Sequence, residues 1–385
     1  MNDGRETPIA GNTAAGLEAL RGAFENNFDA GIELGAAFAV VRGDEVLVDL
    51  HGGWRAPDLE VPWTADTLVN VYSTSKGVSA LMLAELAGAG RLDFDARVTD
   101  YWPEFGAAGK GEVTVAHLLS HQAGLAGLPE PVTVEDLCEH GALAARLAAA
   151  TPLWPPGTAV GYHPILWGTL AQELCLRASG ETLGARLARR RAAALGADVH
   201  LGLADGDHGR CAQIVGPNRP WRDRPGVTDL PPVPAQTGPH ERVAFANPVL
   251  RPFRDVCSAP FRRAELPAAN VHATALGLAR LYAGALAEDG PGLAAARRQC
   301  VGPEQPDRVL VGRTFRRSVA GFMLNHERCY GPSPEAFGHD GAGGSFAFAD
   351  PEAGIAVAYV MNQMQVHREA DRRGAALVEA LYDAL

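Results

Sequence analysis

Stretches that read as β-strands lie at the two ends of this chain, and stretches that read as helices fill its middle. Near the start, Gly35 to Val41 and Val46 to Leu50 flank the turn Arg42-Gly-Asp-Glu45, the pattern of a hairpin. Near the end, Arg316 to Leu324, Ser345 to Ala349 and Ile355 to Val360 read as further strands, and Arg368 to Leu385 as a closing amphipathic helix. Helical spacing runs through Leu17, Leu20, Phe24 and Phe28 within residues 13–28, and returns at 134–150, 164–178 and 274–286. The expected fold class is therefore α/β (α+β), with an antiparallel sheet drawn from both termini, flanked by helices. Residues 1–75 and 269–385 form the sheet domain, and 76–268 an inserted, mainly helical lobe with a cleft at the junction. Residues 204–268, rich in Pro, Arg and Asp, lack periodicity and read as a long ordered excursion that could wall a pocket.

At the junction, the strand-like stretch Thr67 to Val71 leads into a helix over Ser73-Thr-Ser-Lys76 and onward to the glycines and arginine of Gly88-Ala-Gly-Arg91. An i, i+3 pair at a helix start points two side chains at one space, which sets the Ser73 hydroxyl beside the Lys76 amine. The chain has two lysines, Lys76 and Lys110, against 32 arginines, so a position held by lysine asks for something arginine cannot do. Arginine keeps its proton in a protein, whereas a buried lysine can fall well below its reference pKa of about 10.4 and accept one. The positive end of the helix acts in the same direction. Gly77, Ala80 and Ala84 continue the Ser73/Lys76 face with small residues, and Val78, Leu81, Met82 and Leu86 give an apolar flank, as in a buried helix. Taken alone, S-x-x-K is also the pattern of an N-cap serine followed by a surface lysine.

Net charge −11 and a pI near 5.6 argue against nucleic acid and anionic membranes as partners, and Arg189-Arg190-Arg191 is too short a cluster to reverse this. The start, Met-Asn-Asp-Gly-Arg-Glu-Thr-Pro, lacks the apolar run of a signal peptide or anchor, and a cytoplasmic protein is expected. Six cysteines lie far apart with no CxxC, which suggests core residues or free thiols.

Residues 113–125 read as a short helix capped by Thr114 and stopped by Gly124. His117 and His121 have an i, i+4 spacing that can bind metal, but no third ligand and no HExxH accompany them, so packing is the expected role. Pro152-Leu-Trp-Pro-Pro-Gly157 forms a fixed irregular loop, with Tyr162 directly after it. No cofactor motif is found, and no metal is expected.

Together these segments resemble the serine β-lactamase-like superfamily, with its β-lactamase/transpeptidase-like fold, nearest the class C β-lactamases and the family VIII carboxylesterases. Ser73-Thr-Ser-Lys76 resembles the family's S-x-x-K, and Thr114 to Leu125 its T-x-x-x-L-L-x-H-x-x-G-L segment. Trp154-Pro-Pro-Gly157 with Tyr162 resembles P-G-x-x-x-x-Y, and Phe337-Gly-His-Asp-Gly-Ala-Gly-Gly344 the H-x-G form of the third motif. The likeness runs from about residue 12 to 385 as a single unit. None of the nine serines sits in a G-x-S-x-G elbow, which sets aside an α/β-hydrolase.

The resemblance implies that Ser73 attacks an acyl carbonyl to form an acyl-enzyme that water cleaves, with Lys76 and Tyr162 sharing the proton work. Either could be the base on these grounds. It further implies an oxyanion hole from the backbone N–H groups of Ser73 and Ala342, with His339, Asp340 and Gly341 toward the substrate. Where β-lactamases carry K-T-G this chain has His339-Asp340-Gly341, and where they carry Y-x-N it has Tyr162-His163-Pro164. Both changes remove groups suited to a β-lactam and its carboxylate, and a neutral ester needs neither. The expected function is a serine carboxylesterase of short-chain acyl or aryl esters, a small-molecule ester as partner, with weak β-lactam hydrolysis as a side activity. A β-lactamase, D-amino-acid peptidase or acyltransferase on the same scaffold is the nearer alternative, and a binding module that acylates once without turnover the further one.

Overall fold

The computed structural model describes residues 6–190, 196–216, 239–288, 290–365 and 372–385. Its strands are β1 (Ile9–Thr13), β2 (Gly35–Arg42), β3 (Glu45–Gly53), β4 (Val69–Asn70), β5 (Val199–His200), β6 (His272–Ala273), β7 (Gln299–Val301), β8 (Arg316–Ser318), β9 (Met323–Leu324), β10 (Phe337–Asp340), β11 (Phe346–Asp350) and β12 (Ile355–Met361). Its helices are α1 (Ala19–Asp29), α2 (Thr74–Gly88), α3 (Val115–Leu119), α4 (Val134–Cys138), α5 (His140–Ala149), α6 (Leu166–Ser179), α7 (Leu183–Arg190), α8 (Pro239–Phe245), α9 (Ala259–Arg263), α10 (Ala275–Glu288), α11 (Pro291–Arg297) and α12 (Arg372–Ala384).

Nine strands form one antiparallel sheet in the order β1-β3-β2-β12-β11-β10-β9-β8-β7. The first three come from residues 9–53 and the other six from 299–361, so the pairing of β2 with β12 joins the two ends of the chain. Both of these central strands are buried on both faces, and their side chains divide by size. Ala37, Ala39, Ala356 and Ala358 face the core shared with α2 and α10, whereas Phe38, Val40, Val357 and Tyr359 face α1 and α12. Strand alternation makes this division possible, and the alanine face lets helices lie close on the sheet. On that face, α2 is apolar on every side; 12 of its 15 residues are buried. A second, three-stranded sheet, β4-β6-β5, fastens the segment before α2 to residues 199–200 and 272–273.

Several elements differ from the sequence reading. The helix expected over 113–125 ends at Leu119, because the chain turns at Ser120 and His121 takes φ 70°. His117 and His121 therefore do not share a helical face. Residues 134–150 split into α4 and α5 at Glu139, whose extended ψ of 81° breaks the ladder. The stretch 316–324 is a hairpin, β8 and β9, and the helix read over 13–28 begins only at Ala19. Strands β1, β7 and β10 are short and contain Gly, Asn, Gln or Asp, so their β-propensity is weak. Of the excursion at 204–268, residues 217–238 lie outside the described residues, and the rest holds α8, α9 and two short turns. Residues 368–371 of the expected closing helix also lie outside them. No helix among the described residues is long and apolar enough to cross a membrane.

One buried ion pair ties the closing helix to the sheet and to the turn after β10. Arg373 of α12 donates to Glu33 Oε1 at 2.9 Å, to the Gln363 carbonyl at 2.8 Å and to the Gly343 carbonyl at 2.8 Å; Tyr359 also donates to Glu33. Removing one member of such a pair leaves the other charge in a medium that solvates it poorly. Arg373→Met is predicted to lower the unfolding free energy by about 3–5 kcal/mol in urea titration. A loss under about 1 kcal/mol would show that this contact does not anchor α12.

Candidate active site

The chain enters α2 through a strained residue. Tyr72 holds φ 45°, a conformation that a bulky side chain rarely adopts, and the neighbouring bonds fix it there. Its N–H donates to Asn70 Oδ1 at 2.9 Å, and its carbonyl accepts from Ser75 Oγ, which in turn accepts from Val271 N at 3.0 Å. The bend places Ser73 at the mouth of the helix. From Thr67 to Ala84 it is the one residue that is not buried.

Two groups predicted from sequence converge on it. Lys76 Nζ lies 3.1 Å from Ser73 Oγ, and Tyr162 Oη donates to the same oxygen at 2.8 Å. Lys76 is fully buried, and its two other hydrogen-bond partners among the described residues are backbone carbonyls, Pro164 O at 2.8 Å and Ala268 O at 3.1 Å. Burial holds the Lys76 amine well below its ordinary pKa; the Arg317 guanidinium pushes the same way, and Asp340 opposes it. Burial raises the Tyr162 phenol well above its ordinary value, against the hydrogen bond with Ser73 and the charge of Arg317. The amine is thus the group inclined to be neutral and basic, and the phenol the group inclined to keep its proton.

Tyr162 is held by the two motifs around it. His121 Nδ1 accepts from His163 N at 3.0 Å, His163 Nε2 accepts from Leu125 N at 2.9 Å, and Gly161 N donates to the His121 carbonyl at 3.0 Å. Buried His163 is pushed down to about 4 and stays neutral, so it serves as a strut. Trp154 and Gly157 of the proline loop meet the same segment, through Leu153 N to Gly124 O at 2.7 Å and Gly157 N to Gln122 O at 3.0 Å. Among the described residues, no group of three or more His, Cys, Asp or Glu could hold a metal ion.

The turn between β10 and β11 closes the site from the sheet side. Ser345 Oγ donates to Val71 O at 3.0 Å and lies 3.2 Å from Thr74 Oγ1. Gly341 sits so close that a Cβ there would run into the Val71 carbonyl and Ser345 Oγ. Exposed Ala342 follows, and neither its N–H nor that of Ser73 donates to a group of the described residues. His339 is buried with its ring 6.5 Å from that of Tyr162, and its Nδ1 bonds the Asp340 carbonyl at 2.7 Å. Strand alternation sends Asp340 to the other face, where Tyr330 Oη reaches Oδ1 at 3.5 Å. Of the third-motif residues, His339 and Gly341 face α2, and the Asp340 side chain does not.

Two residues of this site were not anticipated. Arg317 on β8 lies with Cζ 5.1 Å from the Tyr162 ring centre, and Asp307 accepts from Tyr162 N at 3.0 and 3.1 Å. A charged residue in a stretch read as strand, in step with the buried Val319, was the available signal for Arg317. Asp307 lies in a loop and gave none.

A family model described as Beta-lactamase matches residues 24–382. The chain belongs to the β-lactamase family. Esterase/beta-lactamase LipL of Mycobacterium tuberculosis is 34% identical over 350 residues, covering 86% of this chain and 77% of LipL. A crystal structure of a family VIII carboxylesterase is 39% identical with a TM-score of 0.88, covering 98% of this chain and 100% of that one. A penicillin-binding protein homologue from Caulobacter crescentus is 41% identical with a TM-score of 0.86 and the same coverage. The β-lactamase/transpeptidase-like fold expected from the motifs is the fold observed.

In this β-lactamase-family site, the contact at Gly341 generates a direct test. Because the obstructing atoms are backbone as well as side chain, Gly341→Ala is predicted to force the turn away from α2 and to cost about 1–3 kcal/mol in denaturant unfolding. A neutral result would mean that the turn has room the geometry denies.

Proposed function

We propose that this member of the β-lactamase family is a serine carboxylesterase that hydrolyses short-chain acyl or aryl esters through an acyl-enzyme on Ser73. The observation that carries the reading is the hydrogen-bond inventory of Lys76. A neutral amine has two N–H donors and one lone pair. The Pro164 and Ala268 carbonyls take the two donors, and the lone pair is left for the Ser73 hydroxyl.

The chemistry follows from that arrangement. The proton of Ser73 moves to Nζ as Oγ bonds the ester carbonyl carbon, and the carbonyl electrons become an oxyanion facing the N–H groups of Ser73 and Ala342. Tyr162 gives its proton to the departing alkoxide and regains one from the Lys76 ammonium, which breaks the ester C–O bond and leaves the acyl group on Oγ. Water then adds to that carbonyl, giving its proton back through Lys76 and Tyr162, and Ser73 leaves with a proton restored.

The choice of ester over β-lactam is supported by His339 where a lysine would hold a carboxylate, and by Pro164, whose carbonyl bonds Lys76 and which has no side-chain amide to offer a substrate. The likeness to a family VIII carboxylesterase and to an esterase/β-lactamase supports it too. His339 and Gly341 line the substrate side; Asp340 contributes charge rather than contact. The penicillin-binding protein homologue and the second half of LipL's name favour a weak β-lactam-hydrolysing side activity as the second reading.

Steady-state hydrolysis of p-nitrophenyl esters and of nitrocefin by wild type, Ser73→Ala and Lys76→Arg tests this. Short esters are predicted to be the better substrates, with Ser73→Ala inactive on both and Lys76→Arg slower by about 10²–10⁴-fold, since arginine offers no lone pair. Ester turnover that survives Ser73→Ala sinks the mechanism, and nitrocefin turnover rivalling the esters makes the β-lactamase reading primary.

The pH profile of kcat/KM gives a separate check. Protonated Lys76 cannot accept a proton, so activity falls as pH drops through its lowered pKa, well under about 10.4. Tyr162 holds its proton past its ordinary value of about 10, so the alkaline limb lies above that. A profile still rising toward pH 10 would contradict a depressed Lys76.

A further inference from the structure

We propose that Arg317, anchored by Asp307, is a positioning residue of this site: a permanent buried cation packed behind Tyr162 whose charge acts on the Lys76/Tyr162 pair. The inference rests on the reading of Lys76 as the base.

The geometry carries it. Arg317 is 1% exposed, and its guanidinium stacks between two rings, 5.1 Å from the centre of Tyr162 and 4.5 Å from that of Phe315. Its one hydrogen-bond partner among the described residues is Asp307, Nη2 to Oδ2 at 3.3 Å; Nε and Nη1 are buried with none. A buried cation with two idle donors is unfavourable for the fold, and such groups in a native structure call for a functional reason. Packing alone would be served better by a methionine or leucine of similar size.

Asp307 keeps the charge from drifting. Its carboxylate accepts the N–H of Tyr162, of Val309 at 2.9 Å and of Leu310 at 2.8 Å, while Arg308 N donates to Val160 O at 2.8 Å. The pair is thereby fixed to the backbone of the residue whose phenol touches Ser73. The other titratable groups around Lys76 are Tyr162, the neutral His121 and His163, His339 on β10, and Asp340, whose charge opposes that of Arg317. Arginine keeps its proton at every working pH, so Arg317 holds a constant field there.

The sign of its effect is the same on both partners. A nearby cation disfavours the Lys76 ammonium and favours the Tyr162 phenolate, so it lowers both affinities for protons. Removing it raises both. For Arg317→Gln, the acid and alkaline limbs of kcat/KM for p-nitrophenyl acetate are expected to move together to higher pH, by about one pH unit. Asp307→Asn removes the counter-charge and is expected to move the acid limb the other way, to lower pH.

A folded Arg317→Gln that loses activity equally at every pH, with its limbs unmoved, overturns the proposal and leaves Arg317 a packing residue. If that variant does not fold, an acid limb in Asp307→Asn that stays in place or moves up overturns it equally. Failure of the underlying reading is seen without any change at Arg317: ester turnover that survives Ser73→Ala, or a wild-type kcat/KM profile still rising toward pH 10, sinks Lys76 as the base.

Discussion

Taking the amine of Lys76 out of water is the constraint on which the site depends. Stripping an ammonium of its hydration costs several kcal/mol even after relaxation, and a lysine answers by releasing its proton. Apart from Asp340, whose charge opposes it, the surroundings of Lys76 add to that pressure or accommodate its result. The helix that carries it is apolar all round, the N-terminal end of that helix is positive, and Arg317 stands behind Tyr162. The Pro164 and Ala268 carbonyls then satisfy an amine of two donors. A surface lysine at the same spacing would have none of these, which is why S-x-x-K alone says so little.

Such burial requires a helix enclosed on all sides, and the sheet supplies one wall of the enclosure. Alanines on one face of β2, β11 and β12 leave room for α2 and α10, while the bulky residues of the same strands fill the space under α1 and α12. The division places the turn after β10 against the start of α2, where Ser345 bonds Val71 and Gly341 admits no side chain. At Gly77, likewise, a Cβ would strike Tyr282 Oη and crowd His339. Close approach, set by small residues, thus aligns two elements distant in sequence to within hydrogen-bond tolerance.

Much of this was legible in the sequence, and the reasons differ by element. Long periodic segments such as Gly35 to Val41 and Ile355 to Val360 announce themselves because both their faces are apolar. Ser73, Lys76 and Tyr162 were readable because their motifs are local and their residue types chemically pointed. What escaped depends on tertiary context. Strand β10 exists through pairing with β9 and β11, not through the propensity of Phe-Gly-His-Asp. The early end of α3 reflects the left-handed turn at His121, which the downstream contact with His163 stabilises. The pairing of Asp307 with Arg317 spans a loop and a strand, and Asp340 could be assigned to a face only once β10 was known to be a strand.

The carbonyls that receive Lys76 come from residues 164 and 268, and the turn that faces Ser73 from residues 341–345. On the ribosome these segments emerge long after α2, and domains fold as their chain becomes available. Until they arrive, the contacts that bury Lys76 and close the site over Ser73 are incomplete. On the proposed function, reactivity is therefore timed by synthesis: a nascent chain carries Ser73 and Lys76 at their spacing, but not the surroundings that turn the serine into a nucleophile.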